Sequence, residues 1–140
     1  MADRITAVQR SENMRRIRGA HTKPEMIVRR MVHGMGYRYR LHRKNLPGKP
    51  DLVFGPSRRV IFVHGCFWHQ HPGCKAGRLP DSNVGYWHKK LRRNVERDAK
   101  AQEDLKRLGW EALTVWDCET KDSDVLQARL VQFLAPKWGR

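Results

Sequence analysis

The chain is predicted to fold as an α/β domain, with a mixed β-sheet flanked by helices. Three observations predict it. Helical periodicity precedes two short apolar segments separated by a turn, and a long helical pattern then intervenes before a last apolar segment and a closing helix. The two apolar segments are too close to be joined by anything but a hairpin, so part of the sheet is antiparallel. A cluster of cysteines and histidines follows the second of them, and the remaining cysteine ends the last apolar segment. At 140 residues there is room for one domain, expected as a basic arm over residues 1–20 and a core over residues 21–140.

Taken in order, Ser11 can cap a short basic helix carrying Met14, Arg15, Arg16, Ile17 and Arg18, which Gly19 ends. This arm is too polar to be core. Thr22-Lys-Pro-Glu25 has capping-box spacing with Pro near the first turn, and Met26, Ile27, Met31 and Met35 then form an apolar face up to Gly36. Tyr37 to His42 alternates apolar with basic residues, as an edge or half-buried strand does. Leu46-Pro-Gly-Lys-Pro50 is a turn, Asp51-Leu-Val-Phe54 a short strand, Gly55-Pro-Ser57 a turn, and Val60-Ile-Phe-Val63 a more buried strand. After the turn Pro80-Asp-Ser-Asn83, the residues Val84, Trp87, Leu91, Val95, Leu105 and Leu108 recur at helical spacing, with Lys89, Lys90, Arg92, Arg93, Arg97 and Lys100 on the other face. Gly109 stops that helix. Trp110 to Trp116 reads as a buried strand ending at Asp117-Cys118, and Val125 to Leu134 as an amphipathic helix.

Lys and Arg number 29 against 14 Asp and Glu, a formal net charge of +15, and the basic residues run from Arg4 to Arg140 rather than in one tail. This balance favours a polyanionic partner. Contacts to roughly 6–10 phosphates would weaken binding by about 10³–10⁵ between 50 and 200 mM salt. A basic protein with a merely solvated surface is the plainer alternative. The amino terminus has no apolar signal region and no stretch approaches a membrane span, so a cytoplasmic protein is expected. No internal repeat or low-complexity segment is present.

Cys66-Phe-Trp-His-Gln-His-Pro-Gly-Cys74 packs thiols, imidazoles and aromatics into nine residues. With only three cysteines in the chain, two of them interleaved with histidines, metal is a better reading than a disulfide framework. Cys66, His71, Cys74 and Cys118 can supply three sulfurs and one nitrogen in a tetrahedral set that suits Zn²⁺ as a structural ion. The gaps are four, two and forty-three residues, and the long one makes sense if the strand ending at Cys118 lies beside the strand leading to Cys66. His69 can replace His71 as the ligand, because sequence does not orient the loop.

A hydrolytic metal nuclease needs a carboxylate for Mg²⁺ and a group that moves protons. Pro50-Asp51 at a strand start, with a second strand about ten residues on, has the outline of a restriction-enzyme-type site. The acid and lysine expected on the second strand are absent: Phe62-Val63-His64 stands there. A second metal contact must then come from a backbone carbonyl, from another acid such as Glu25, or from water. His64 and His69 are the candidates for proton transfer. Each has a plainer reading, Asp51 as a turn or cap residue, Glu25 as half of a capping box, His64 as a buried core histidine.

Leu46-Pro-Gly-Lys-Pro-Asp51, Val60-Ile-Phe-Val-His-Gly-Cys-Phe-Trp-His-Gln-His71, Asn94-Val-Glu-Arg-Asp98 and Leu108-Gly-Trp110 through Val115-Trp-Asp-Cys118 occur in that order. With them the chain, from about Ser11 to Leu134, resembles the very short patch repair (Vsr-type) DNA mismatch endonucleases. The resemblance implies a restriction-endonuclease-like fold with a structural zinc site, and a Mg²⁺-dependent nick in one DNA strand beside a T·G mismatch left by deamination of 5-methylcytosine. It implies that Asp51 binds Mg²⁺, that His69 acts in proton transfer with His64 in support, and that Glu25 lies near the water network of the metals. The Val63 backbone carbonyl would contact Mg²⁺, and Cys66, His71, Cys74 and Cys118 would hold Zn²⁺. Phe67, Trp68 and Trp87 would wedge into the base stack, with Met14 and its arm closing from the opposite groove and Asn94 also on the DNA. The plainer reading of Trp87 is that it joins the apolar face of Leu91 and Val95.

The expected partner is therefore double-stranded DNA with a T·G mismatch, met by a monomer, with downstream mismatch-repair proteins taking over the nick. The rivals are a related nickase or restriction-type endonuclease acting on intact duplex, and a zinc-stabilised DNA-binding module without catalysis. Neither the sequence context of the mismatch nor the general-acid or general-base assignment of His69 is legible in the residues.

Overall fold

The computed structural model describes residues 22–75 and 81–138, side chains through 134. The basic arm with Met14 lies outside the described residues. The element order is α1 (Lys23–Gly34), β1 (Arg40–Leu41), β2 (Leu52–Phe54), β3 (Arg59–His64), α2 (Val84–Arg107), β4 (Glu111–Trp116), a 3₁₀ turn (Asp117–Lys121) and α3 (Ser123–Trp138). The four strands form one sheet in the order β1-β2-β3-β4. The first two pairings are antiparallel and β3 with β4 is parallel. The mixed α/β architecture expected from the sequence is the one observed, including the hairpin of β2 and β3 and the adjacency of the strands that lead to Cys66 and Cys118.

Side-chain alternation along the strands builds two apolar layers. Leu52, Phe54, Ile61 and Val115 face one way and pack with Val28 and Val32 of α1 and Leu126, Leu130 and Leu134 of α3. Val53, Val60 and Phe62 face the other way and pack with Leu46 and with Leu105 of α2. The sheet is thus covered on both faces. Gly36 and Gly109 stop helices as expected: past α1, Tyr37 N–H donates to Val32 C=O and Gly36 N–H to His33 C=O, and past α2 the bonds from Trp110 to Leu105 and from Gly109 to Lys106 repeat the pattern, whereas Gly19 lies outside the described residues.

Three expectations need correction. The strand expected over Tyr37 to His42 pairs only at Arg40 and Leu41, because His42 turns out of the extended region at φ 46°. Val84, Val95 and Leu108, expected on the buried stripe of α2, are exposed, and the inward stripe is instead Leu91, Asn94, Asp98, Ala101 and Leu105. Apolar spacing alone misleads there because the middle of the helix crosses polar ground. The last strand, expected to be buried, is so only at Val115, since β4 lies at the sheet edge.

Gly48, in the turn before β2, packs tightly against α2. Its φ is +76°, and a Cβ there would lie 2.7 Å from Ala101 Cβ and 3.0 Å from the Phe62 ring. Gly48→Ala is therefore expected to destabilise the protein by about 1–3 kcal/mol, through steric overlap and left-handed backbone strain. Urea unfolding monitored by tryptophan fluorescence would measure it, and an unchanged midpoint would refute the tight approach.

Candidate active site

The polar ground under α2 is a cleft of about 1040 Å³ bounded by the ends of β2 and β3, the start of α1 and the middle of α2. Its position follows from strand alternation. Asp51 and His64 lie on the same sheet face as Val53, Val60 and Phe62, but at the end of the sheet beyond the apolar layer. The stripe of α2 changes in parallel: Leu105 and Ala101 cover the apolar residues, and Asp98 and Asn94 face the titratable ones.

Asp51 is held by a hydrogen bond of 2.7 Å that the Val63 N–H donates to Oδ2. Burial pushes its carboxyl up to about 6, with Glu25 adding to the rise and the Val63 N–H, His42 and His69 opposing it. Glu25 is nearly fully buried, and its Oε2 lies 2.7 Å from His42 Nε2 and 3.7 Å from an Arg29 nitrogen. Its backbone serves the expected cap, with its N–H donating to Thr22 Oγ1. Glu25, His42 and Asp51 each offer a ligand atom within 4.8 Å of the others.

On the β3 side, the His64 and His69 rings stack with centroids 3.7 Å apart and planes 7° apart. His69 Nδ1 lies 2.6 Å from Asp98 Oδ2. Burial, and then the neighbouring His69, hold His64 down to about 4, so it stays neutral. His69 is reached by a sharp turn after β3, closed by the bond from its N–H to Gly65 C=O.

Two residues further on, the chain enters the cysteine cluster. Cys66, His71, Cys74 and Cys118 place one ligand atom each within 4.8 Å of one another, so this set can hold a metal ion. His71 Nδ1 lies 3.7 Å from Cys66 Sγ and 3.5 Å from Cys118 Sγ. Tetrahedral zinc, with bonds near 2.3 Å to sulfur and 2.0–2.1 Å to nitrogen, has N···S edges of about 3.6 Å, so the donor set fits that ion. The Cys118 N–H donates to Cys66 Sγ at 3.4 Å, and the His71 ring stacks on Trp116 at 4.3 Å. Burial and the neighbouring thiols push Cys66 up to about 12, a cost that a bound cation removes. The geometry also separates the two histidines: His71 joins the cysteines, whereas His69 joins His64 and Asp98.

The loop between these groups carries the aromatics. Phe67, Trp68 and Trp87 form a half-exposed triangle with centroid separations of 5.1, 5.5 and 5.9 Å. Trp87 therefore packs on the loop rather than with Val95. Asn94 holds the same loop, its amide donating to the Trp68 carbonyl at 3.0 Å.

Two site residues escaped the sequence reading. Asp98 had a signal, since it lies four residues after Asn94 and continues the stripe of Leu91 and Asn94 as an acid facing inward. His42 had none, because its place depends on strand register.

A stacked imidazole pair and a partly buried carboxylate beside a second, buried acid, in a cleft between a mixed sheet and a basic helix, form the site of a hydrolytic enzyme acting on nucleic acid. The family model for the DNA mismatch endonuclease Vsr matches residues 2–75. The type II nicking enzyme V.XorIIP of Xanthomonas oryzae pv. oryzae is 47% identical over 136 residues, 97% of this chain and 99% of that protein. V.NmeAIP of Neisseria meningitidis, also a type II nicking enzyme, is 40% identical over 93% of this chain and 92% of its own length. The DNA mismatch endonuclease Vsr of Escherichia coli K12 is 36% identical over 99% of this chain and 88% of its own. The chain belongs to the Vsr family of DNA endonucleases. Among the described residues, no helix is long and apolar enough to cross a membrane.

The two buried groups have opposite effects on stability. Asp51 titrates near 6 when folded against 3.8 ordinarily, so its contribution is present below about pH 4 and lost as pH rises through 6. His64 titrates near 4 against 6.5, so its contribution is present above 6.5 and lost as pH falls through 4. Without divalent cations, Asp51→Asn should stabilise the protein at pH 7.5 by on the order of 2–3 kcal/mol and leave a stability that falls steadily in acid. Thermal melts from pH 4 to 8 would measure this. Identical pH profiles for wild type and variant would exclude it.

Proposed function

We propose that this endonuclease nicks one strand of duplex DNA beside a T·G mismatch, the product of 5-methylcytosine deamination, and so initiates very short patch repair on a restriction-endonuclease-like fold. One observation carries the reading. A cleft holding Asp51 and the His64–His69–Asp98 group ends directly at the Phe67, Trp68 and Trp87 triangle, so lesion sensing and hydrolysis share one loop.

Asp51 and the Val63 carbonyl are the oxygen donors for Mg²⁺. The fit rests on two features: a buried carboxylate raised to about 6 gains from a cation, and a strand residue whose N–H faces Asp51 presents its C=O toward the same side. Bound there, Mg²⁺ supplies charge stabilisation to the scissile phosphate. Asp98 fixes the His69 ring through Nδ1 and leaves Nε2 to exchange a proton with the attacking water or the leaving oxygen. His64, kept neutral and stacked on His69, supports that ring without adding a second positive charge. Zn²⁺ in the Cys66, His71, Cys74 and Cys118 set ties the loop to the end of β4.

The aromatic triangle is the wedge. Opening a base step costs a few kcal/mol, less beside a wobble pair, and stacking a base on an aromatic face returns about 1–3 kcal/mol. Distorted DNA is thereby favoured over regular duplex. The basic outer face of α2 supplies phosphate contacts. Because two of the relatives are named as nicking enzymes without reference to a mismatch, cleavage of intact duplex is the second reading.

Labelled duplexes differing only in T·G, T·A or C·G at one position, incubated with protein and Mg²⁺, decide between them. Nicking of the T strand of T·G alone is expected, and equal cutting of T·A would overturn the specificity. Asp51→Ala should lose about 10³-fold or more in rate, and retained activity would remove it from the mechanism. Trp68→Ala should lower the preference for T·G by about tenfold or more while cutting chemistry persists. Stripping the cysteine cluster with a thiol-directed zinc chelator should release one Zn²⁺ per chain and lower Tm. A chelated protein that melts unchanged would exclude a structural ion.

A further inference from the structure

His42 lies opposite Asp51. The pairs Arg40 with Val53 and Leu41 with Leu52 set the register of β1 and β2, and the next step of that register is His42 with Asp51. The His42 N–H donates to the Asp51 carbonyl at 3.1 Å, so the two residues stay tied one step past the paired region although His42 leaves the extended conformation. The His42 side chain reaches the Glu25 and Asp51 carboxylates at the edge of the cleft.

There the imidazole stands between two acids. Its Nε2 is 2.7 Å from Glu25 Oε2 and 3.9 Å from Asp51 Oδ1. The short contact is a hydrogen bond, and with a carboxylate as the acceptor it is the His42 Nε2–H that donates to Glu25 Oε2. His42 adopts φ 46°, a left-handed conformation that non-glycine residues seldom take and that persists only where surrounding contacts enforce it. Glu25 is buried, and a buried carboxyl group needs a fixed hydrogen-bond partner.

We propose that His42 is a positioning residue: through Nε2–H it holds the Glu25 carboxylate at Asp51, so that both acids serve one divalent cation. The proposal rests on the cation reading of Asp51 given above and adds to it the residue that sets the second carboxylate. His42 touches neither DNA nor the reacting phosphate in this role. A glutamine at position 42 can replace the imidazole donor with its amide N–H, whereas alanine cannot.

Mn²⁺ serves as the probe because its binding is read by electron paramagnetic resonance without turnover. Wild type, His42→Gln, His42→Ala, Glu25→Gln and Asp51→Ala would be titrated, and the thermal stability of each cation-free protein measured. His42→Ala should weaken Mn²⁺ binding about tenfold or more, with His42→Gln within about threefold of wild type. In nicking assays His42→Ala should raise the Mn²⁺ concentration needed for half-maximal rate while the KM for DNA stays unchanged. In cation-free melts, His42→Ala combined with Glu25→Gln should cost less Tm than the sum of the single changes, because the two side chains form one unit. Equal losses in His42→Gln and His42→Ala, or additive melts, would overturn the positioning role. If Asp51→Ala abolishes Mn²⁺ binding while His42→Ala binds as wild type, His42 alone is excluded. If wild type binds no Mn²⁺ that Asp51→Ala removes, the cation reading falls and this role falls with it.

Discussion

The parallel pairing of β3 with β4 is the constraint on which the site depends. It runs in register from Arg59 with Glu111 to His64 with Trp116, and both strands therefore end at the same edge of the molecule. Everything chemical happens just past that edge. Cys66 and Cys118, fifty-two residues apart in the chain, meet because the strands before them stop together. A one-residue slip would turn His64 into the opposite layer and separate the ligand set, since side-chain direction alternates along a strand. The ends of the pairing are anchored by charge as well. Arg59, buried at the far end, meets Glu111 at 3.0 Å, and Glu119 accepts from the Trp116 N–H and from Arg129 of α3 at the near end.

From this edge, ten residues of loop divide into tasks by position. His64 ends the strand, His69 follows a turn of five residues and stacks back on it, and His71 swings to the cysteines. The same turn throws Phe67 and Trp68 outward against Trp87. A metal ion at the cysteine set would restrain His69 and the Phe67–Trp68 pair together, as both lie on one short closed loop. Helix α2 supplies the opposing wall, and three of its side chains define the loop: Trp87 packs on it, Asn94 holds its backbone, and Asp98 lies against its histidine.

The carboxylate side of the cleft has a different logic. Asp51 is placed by the turn over Leu46 to Pro50 and by the Val63 N–H, and Glu25 by the first turn of α1. These acids come from separate elements and repel one another in a partly dry site. His42 and Arg29 offset that repulsion before a cation arrives. The raised Asp51 pKa expresses the remainder, and it explains why a residue central to the proposed chemistry is one whose neutralisation is expected to stabilise the empty protein.

Much of the fold was legible in the residues because local signals agreed with it: glycine stops after both helices, a proline turn before Asp51, alternation in the hairpin. The cysteine set was legible as a composition, and the adjacency of its distant member followed from supposing two neighbouring strands. By itself the sequence determined the element order, the mixed sheet, the basic surface and the types of chemistry present, since these follow from periodicity, turn residues and charge, which act over a few residues. Only the tertiary structure decided which histidine joins the cysteines and which the cleft, which face of α2 turns inward, and that Asp98 and His42 lie beside the predicted site residues. Those choices depend on strand register and on the path of a turn. A shift of one residue or a different loop angle reverses them, leaving the local sequence signals unchanged.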